Sequence, residues 1–305
     1  MTRKGWLLFA IMSVFWGIPY FFIKIAVSEL DPVVVVFARV GIASLALLPV
    51  ALQSGVLRKF RKKWPIIAAF AFVQIIAPFL LITYGEKHIA SSLTSLLIAA
   101  DPLLVALFAL RLDSSERVGG LRLVGLLVGM VGVIVLLGLD VGGDRQRLLG
   151  AIFVLVATMC YALSVLLLKR PTIASLPRLG VVTIACCTSS IVLLPLAVTH
   201  LPARPPSFSV IASLVVLGLV CTALAYLAYF ALIIEVGASR ATVITYLNPV
   251  VSVFLGVIVL GEPLNAPIIV GFLLIIAGSW LSTGGSLPPW LGQQRRTRLP
   301  QAELD

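Results

Sequence analysis

Residues 89 to 110 read Ile89-Ala-Ser-Ser-Leu-Thr-Ser-Leu-Leu-Ile-Ala-Ala-Asp101-Pro102-Leu-Leu-Val-Ala-Leu-Phe-Ala-Leu110, with one ionisable side chain, Asp101, in the whole run. A helix needs about 20 apolar residues to cross the hydrocarbon core of a bilayer. This stretch is long enough, and its single charge falls about twelve residues in, near the middle of such a span. Nine similar runs surround it. Together the ten cover roughly 5 to 26, 33 to 52, 65 to 84, 89 to 110, 120 to 139, 148 to 168, 178 to 199, 208 to 233, 239 to 260 and 266 to 283. The reading is therefore an all-α polytopic membrane protein of ten transmembrane helices joined by short connections. Composition agrees: of 305 residues 60% are hydrophobic and only 11% are charged, whereas a soluble domain carries about a quarter charged residues. The mean hydropathy is +1.14.

The charges exclude other classes. A net charge of +11 in a soluble chain would raise nucleic-acid binding, but these cations sit in short clusters between apolar runs, as in Arg58-Lys59-Phe60-Arg61-Lys62-Lys63, without a basic domain. Four cysteines, Cys160, Cys186, Cys187 and Cys221, lie inside apolar runs and read as small packing residues, not as metal ligands or disulfides. Two histidines, His88 and His200, offer little for imidazole chemistry. No nucleophile and base pair, di-aspartate or metal cluster stands at bilayer depth, so the chain reads as no enzyme and implies no cofactor. It holds no G-x-x-x-x-G-K-[ST] loop for ATP either. The run after Arg3-Lys4 is too long for the apolar region of a secretory signal and lacks a small-residue cleavage site, so it reads as the first span.

Ten spans place both ends on one face. With that face cytoplasmic, 17 Lys/Arg lie inside and five outside (Lys24, Lys87, Arg145, Arg147, Arg204), with Arg39 left within a span. The positive-inside rule then puts both termini in the cytoplasm, in a multi-pass protein of the plasma membrane. The tail 285–305, polar and proline-containing, is expected to be mobile and cytoplasmic.

Sliding the chain against itself by about 145 residues aligns a series of local patterns. Trp16-Gly17 falls on Tyr161-Ala162, Lys24 on Lys169, Leu47-Leu-Pro49-Val-Ala51 on Leu193-Leu-Pro195-Leu-Ala197, Asp101-Pro102 on Asn248-Pro249 and Glu116 on Glu262. The seven-residue spacing of Gly125 and Gly132 recurs in Gly271 and Gly278. Residues 1–145 and 146–284 thus read as two repeats of five helices. An odd number of spans inverts the second repeat relative to the first, which builds two halves around a central cavity and suits alternating access. That arrangement points to a secondary transporter moving a small-molecule substrate, acting as a monomer or homodimer.

Two stretches, Tyr84-Gly-Glu-Lys-His-Ile-Ala-Ser-Ser-Leu-Thr-Ser-Leu-Leu through Gly132 and Ile234-Glu-Val-Gly-Ala-Ser-Arg-Ala-Thr-Val through Gly278, resemble the repeat unit of the drug/metabolite transporter superfamily, in its ten-helix EamA-type branch. Within that branch the chain looks most like the YddG-type bacterial inner-membrane amino-acid exporters. The resemblance implies efflux of aromatic and other apolar amino acids. The alternative is a broad-specificity exporter of drugs or cations. One departure is the loop Arg111-Leu-Asp-Ser-Ser-Glu116-Arg117, where the second repeat keeps Gly261-Glu262.

Polar groups at bilayer depth mark the candidate site. Asp101 precedes Pro102, whose ring removes a donor and frees the carbonyl of Ile98; Asn248 precedes Pro249, which frees the carbonyl of Thr245 and is expected to open the helix in the same way. Asp101 either receives a substrate ammonium or carries a coupling proton, or else packs two helices. Gln74, four residues before Pro78, lines the cavity or bridges helices. Trp16, Tyr161, Tyr246 and Tyr84 are candidates for the flat walls of a site for apolar side chains, with Tyr20, Tyr226 and Tyr229 behind them. Arg39 either pairs with a substrate carboxylate or snorkels to the interface. Lys24 and Lys169 are structural cations at helix ends. Gly125, Gly129 and Gly132 share a face that admits close helix contact, within the chain or between copies.

Overall fold

The computed structural model describes residues 2–60, 63–112, 120–140, 144–237, 241 and 244–282. Among them every regular element is helical: α1 Arg3–Gly17, α2 Pro19–Ala26, α3 Pro32–Gln53, α4 Trp64–Ala71, α5 Ala77–Glu86, α6 Ser91–Ile98, α7 Asp101–Leu112, α8 Gly120–Asp140, α9 Arg145–Lys169, α10 Pro171–Ala174, α11 Arg178–Thr199, α12 Phe208–Val215, α13 Ala225–Val236, α14 Ile244–Ile258 and α15 Ala266–Ser282. Among the described residues seven stretches, counting α1 with α2, α4 with α5, α6 with α7 and α12 with α13 as continuous, are long and apolar enough to cross a membrane. Three shorter apolar helices accompany them: Leu123–Leu137, Ile244–Ile258 and Ala266–Ser282. Glu116 and the tail 285–305 lie outside the described residues.

The helices start where side chains supply what the first turn lacks. Asp31 accepts from the Val33 amide at 2.9 Å, with Pro32 at the first helical position of α3. Asp144 does the same for Gln146 at the head of α9. Large apolar side chains then face outward in numbers a water-soluble protein does not show: Phe208 and Ile234 are 85% and 86% exposed, and Leu45 and Ile191 are 76% and 71%. Lipid is the medium that suits them.

Contacts sort the helix ends into two layers. At one end Lys24 donates to the carbonyls of Glu86 and Ile89 at 2.6 and 2.8 Å, and Gly150 packs on Gly85 and His88. The Lys24 cation therefore meets helix-end carbonyls and not lipid headgroups. Helix α9 starts at that layer and, at 25 residues, runs about 37 Å to the other. There Thr2 donates to Glu235, and Phe60 fills the space beside Gly180.

The glycines predicted to permit close contact do so within the chain. A Cβ on Gly278 would lie 2.3 Å from the Gly129 nitrogen, and one on Gly132 would lie 2.8 Å from the Gly271 carbonyl. Helices α8 and α15 thus touch backbone to backbone.

The sequence expectation of two matching proline breaks holds only once. At Asp101-Pro102 the helix is interrupted: α6 ends at Ile98, Ala99 and Ala100 form a turn, and Pro102 sits in the first turn of α7, where its missing donor costs nothing. At Asn248-Pro249 helix α14 runs through uninterrupted, with Pro249 inside it. Two features escape a periodic reading: π-helical segments at Phe72–Ile76 and Val216–Leu224.

Candidate functional site, a cavity among the helices

A cavity of about 440 Å³ lies between the helices. That falls within the range of roughly 300–1,000 Å³ usual for small-molecule sites. It takes Trp16, Tyr20 and Arg39 from α1 to α3, Gln74 from the first π segment and Asp101 from the head of α7. Tyr161 and Ser164 come from α9, and Tyr226, Tyr229, Thr245 and Asn248 from the last third of the chain. Six of the eight residues expected to form the site therefore converge: Asp101, Asn248, Gln74, Trp16, Tyr161 and Thr245. Tyr84 and Tyr246 do not belong to the lining. Each is only half buried, and Tyr84 sits within a turn of the Lys24 layer.

One wall is aromatic. Trp16 stacks at a tilt on Tyr229, ring centroids 4.8 Å apart, and meets Tyr226 edge-on at 6.1 Å. Tyr20 follows Trp16 by four residues and so shares its face, a spacing from which its place in the lining is readable. Ser164, three after Tyr161, follows by the same rule, and its hydroxyl donates to Gln74 Oε1.

Three charged side chains line this space: Asp101 and Arg39 among the aromatic residues, and Arg178 at one end. Asp101 Oδ1 is buried with no hydrogen-bond partner, as is Asn248 Oδ1. Arg39 is 8% exposed; its Nε donates to Thr222 Oγ1 at 3.0 Å and its guanidinium carbon lies 3.9 Å from the centre of the Phe79 ring. The alternative of a snorkelling Arg39 is thereby corrected: it points into the protein because Thr222 and Phe79 hold it there. Thr222 is available because the second π segment bulges at this point, its hydroxyl donating to the Leu217 carbonyl five residues back.

The lining reaches Ile173, Ala174, Leu176 and Arg178, at the layer that holds Thr2. Toward the opposite layer it stops at Ile23, Ile82 and Ser95; beyond lie Glu86, Ser91, Ser92 and Thr94, all buried. Segments far apart in the chain are tied together there. The Glu262 carboxylate accepts from the amides of Ser91 and Ser92 at 2.7 and 2.9 Å, at the head of α6. Gly261, at φ +66, turns the chain back to aim it, and Gly256 leaves it room, since a Cβ there would lie 2.4 Å from Glu262 Oε2. Nearby, Glu29 accepts from the Ser207 hydroxyl and amide at 2.6 and 2.8 Å.

A profile of the EamA-like transporter family matches this chain twice, over residues 3–138 and 148–284. Among curated relatives, a "probable terminal-alkyne amino-acid exporter" of Streptantibioticus cattleyicolor is 26% identical, covering 98% of each chain. A "probable amino-acid metabolite efflux pump" of Salmonella typhimurium is also 26% identical, over 93% of this chain and 96% of its own. A transporter of Archaeoglobus fulgidus is 26% identical over 91% and 98%. A solved crystal structure superposes with a TM-score of 0.66 at 19% identity, covering 97% of this chain and all of its own, which shows a shared fold.

Proposed function

The chain belongs to the EamA-like transporter family, and from that premise we propose that it exports aromatic and other apolar amino acids across the bacterial inner membrane by alternating access. The observation that carries this reading is the pairing, in one cavity, of an aromatic wall with the opposite charges of Asp101 and Arg39. An amino acid presents the complement: an apolar side chain, an ammonium and a carboxylate. Trp16, Tyr226 and Tyr229 receive the side chain, and Asp101 receives the ammonium, assisted by the side-chain oxygen of Asn248, which is buried and unpartnered in the same cavity. Desolvating a charge is expensive unless a partner is waiting, so buried acceptors that lack donors favour a ligand that brings them.

In this reading the ten apolar helices form two inverted halves, and the structure corresponds to the state open to the cytoplasm, with the Glu262 and Glu29 contacts closing the outer face. Two relatives named for amino-acid export lend support. A cationic-drug carrier fits less well, because the Arg39 guanidinium in the same cavity repels a lone cation.

The test is equilibrium binding of radiolabelled phenylalanine to the purified protein, competed with leucine, aspartate and tetraphenylphosphonium. Displacement by leucine with little effect of the other two is expected. Displacement by the phosphonium and not by amino acids would replace this reading with drug export.

A further inference from the structure

Arg39 is more constrained than a cation in a transporter needs to be for packing. Its Nε is engaged by Thr222, its plane lies over Phe79, and α3 is approached so closely by the second π segment that a Cβ on Gly218 would lie 2.5 Å from Ile42 Cβ and 2.9 Å from the Arg39 carbonyl. Yet among the described residues neither terminal amino group of the fork has a hydrogen-bond partner. Among the described residues no carboxylate lies within 4.0 Å of them, although Asp101 faces the same cavity with a buried, unpartnered oxygen. Tyr20 and Tyr161 line the same cavity as both charges. A buried guanidinium held by one edge is suited to a planar anion that takes two parallel N–H bonds. A dianion such as phosphate would meet the Asp101 carboxylate across the cavity, so a single carboxylate is the better match.

We propose that Arg39, positioned by Thr222 and Phe79, is the carboxylate anchor of the cavity and makes the carrier select for a free carboxylate. This rests on the amino-acid reading above and adds to it the residue that separates amino acids from amines, amides and esters of the same shape. Thr222 acts through Arg39 as a positioning residue.

The experiment compares phenylalanine with phenylalaninamide, which keeps the ring and the ammonium and lacks the anion, by ligand-induced shifts of the unfolding midpoint of the purified protein over a concentration series. Wild type is expected to bind phenylalanine about 30-fold or more tightly than the amide, the loss usual when one partner of a buried charge pair is removed. In Arg39→Gln that preference collapses, because phenylalanine weakens while the amide does not. Arg39→Lys keeps charge without the fork and recovers part of the preference, and Thr222→Val lowers it with the protein still folded. Asp101→Asn weakens both ligands and leaves the acid-over-amide preference in place. Equal binding of acid and amide by wild type, or a preference that survives in Arg39→Gln, overturns the proposal and leaves the amino-acid reading standing. If Arg39→Gln does not fold, an undiminished preference in both Arg39→Lys and Thr222→Val overturns it as well. Wild type that binds neither ligand removes the amino-acid reading, and the anchor with it.

Discussion

Replacing Glu262 by alanine removes the one side chain that satisfies the first amides of α6. Ser91 and Ser92 are 0% and 1% exposed, so water does not take over the bonds they now make at 2.7 and 2.9 Å. A hydrogen bond to a charged group contributes about 1.5–3 kcal/mol, which for two bonds gives roughly 3–6 kcal/mol. Glu262 itself is partly open to solvent, and that lowers the figure to about 2–4 kcal/mol. Glutamine keeps one acceptor oxygen and should forfeit about 1–2 kcal/mol. The contact joins Glu262 to residues 171 and 170 positions away in the chain at the layer where the cavity is closed, so in an alternating-access carrier the loss falls on the equilibrium between states more than on folding. A change of 2 kcal/mol shifts such a population by about 30-fold. The assay uses Ser95→Cys as a reporter, in a background with the four native cysteines replaced. Ser95 lines the closed end of the cavity and is 2% exposed. An impermeant maleimide added from the Glu262 side should label it about 30-fold faster in Glu262→Ala than in the parent, with Glu262→Gln between them. An unchanged labelling rate together with an unchanged unfolding midpoint would refute the claim that this carboxylate holds the layer shut.

Gly278→Val drives a branched side chain into the backbone of Gly129, 2.3 Å from where its Cβ must sit; a loss of about 3 kcal/mol or more in unfolding free energy is expected, read as a lowered midpoint, whereas Gly120→Ala, on helical backbone with nothing within 4 Å of its Cβ, should lose less than half of that. Trp16→Ala removes the ring that stacks on Tyr229 and should weaken phenylalanine binding about tenfold while changing alanine binding little. The Ser207 hydroxyl and amide hold the exposed Glu29 carboxyl below the usual carboxylate range. Because its folded value is lowered, the contact is intact above the ordinary value of 4.5 and is lost as pH falls through the folded one, so a titration followed on the labelled Glu29 carboxyl should move upward in Ser207→Ala.

The apolar runs made most of this fold legible, since a span is a matter of length and hydropathy. So did the convergence of Asp101, Gln74, Trp16, Tyr161, Thr245 and Asn248, because a polar or aromatic group at bilayer depth is retained only for a reason. Tyr84 and Tyr246 stay outside the lining, because the depth of an aromatic along a span, on which the expectation for Tyr246 rests, does not say which face of the helix it takes. The break expected at Pro249 did not form: a proline inside a packed helix can be accommodated by local distortion, whereas Pro102 stands in a first turn that lacks its bonds anyway. The π segments were invisible for a different cause. One extra residue in a turn leaves the hydrophobic pattern nearly intact, and it is the contact between Thr222 and Arg39, 183 residues apart, that gives the bulge its use. Whether Arg39 faces lipid headgroups or the cavity was therefore undecidable until both elements were in place.

The central claim is transport, and flux measures it directly. Purified protein in liposomes, given radiolabelled phenylalanine, leucine, aspartate and alanine with and without an imposed pH gradient, should speed equilibration of the apolar amino acids over protein-free liposomes. Asp101→Asn should lose that flux. A facilitator needs no gradient, and a proton-coupled carrier requires one; either agrees with the account. Liposomes that pass none of these amino acids faster than protein-free controls, with a correctly folded protein in the membrane, would contradict it.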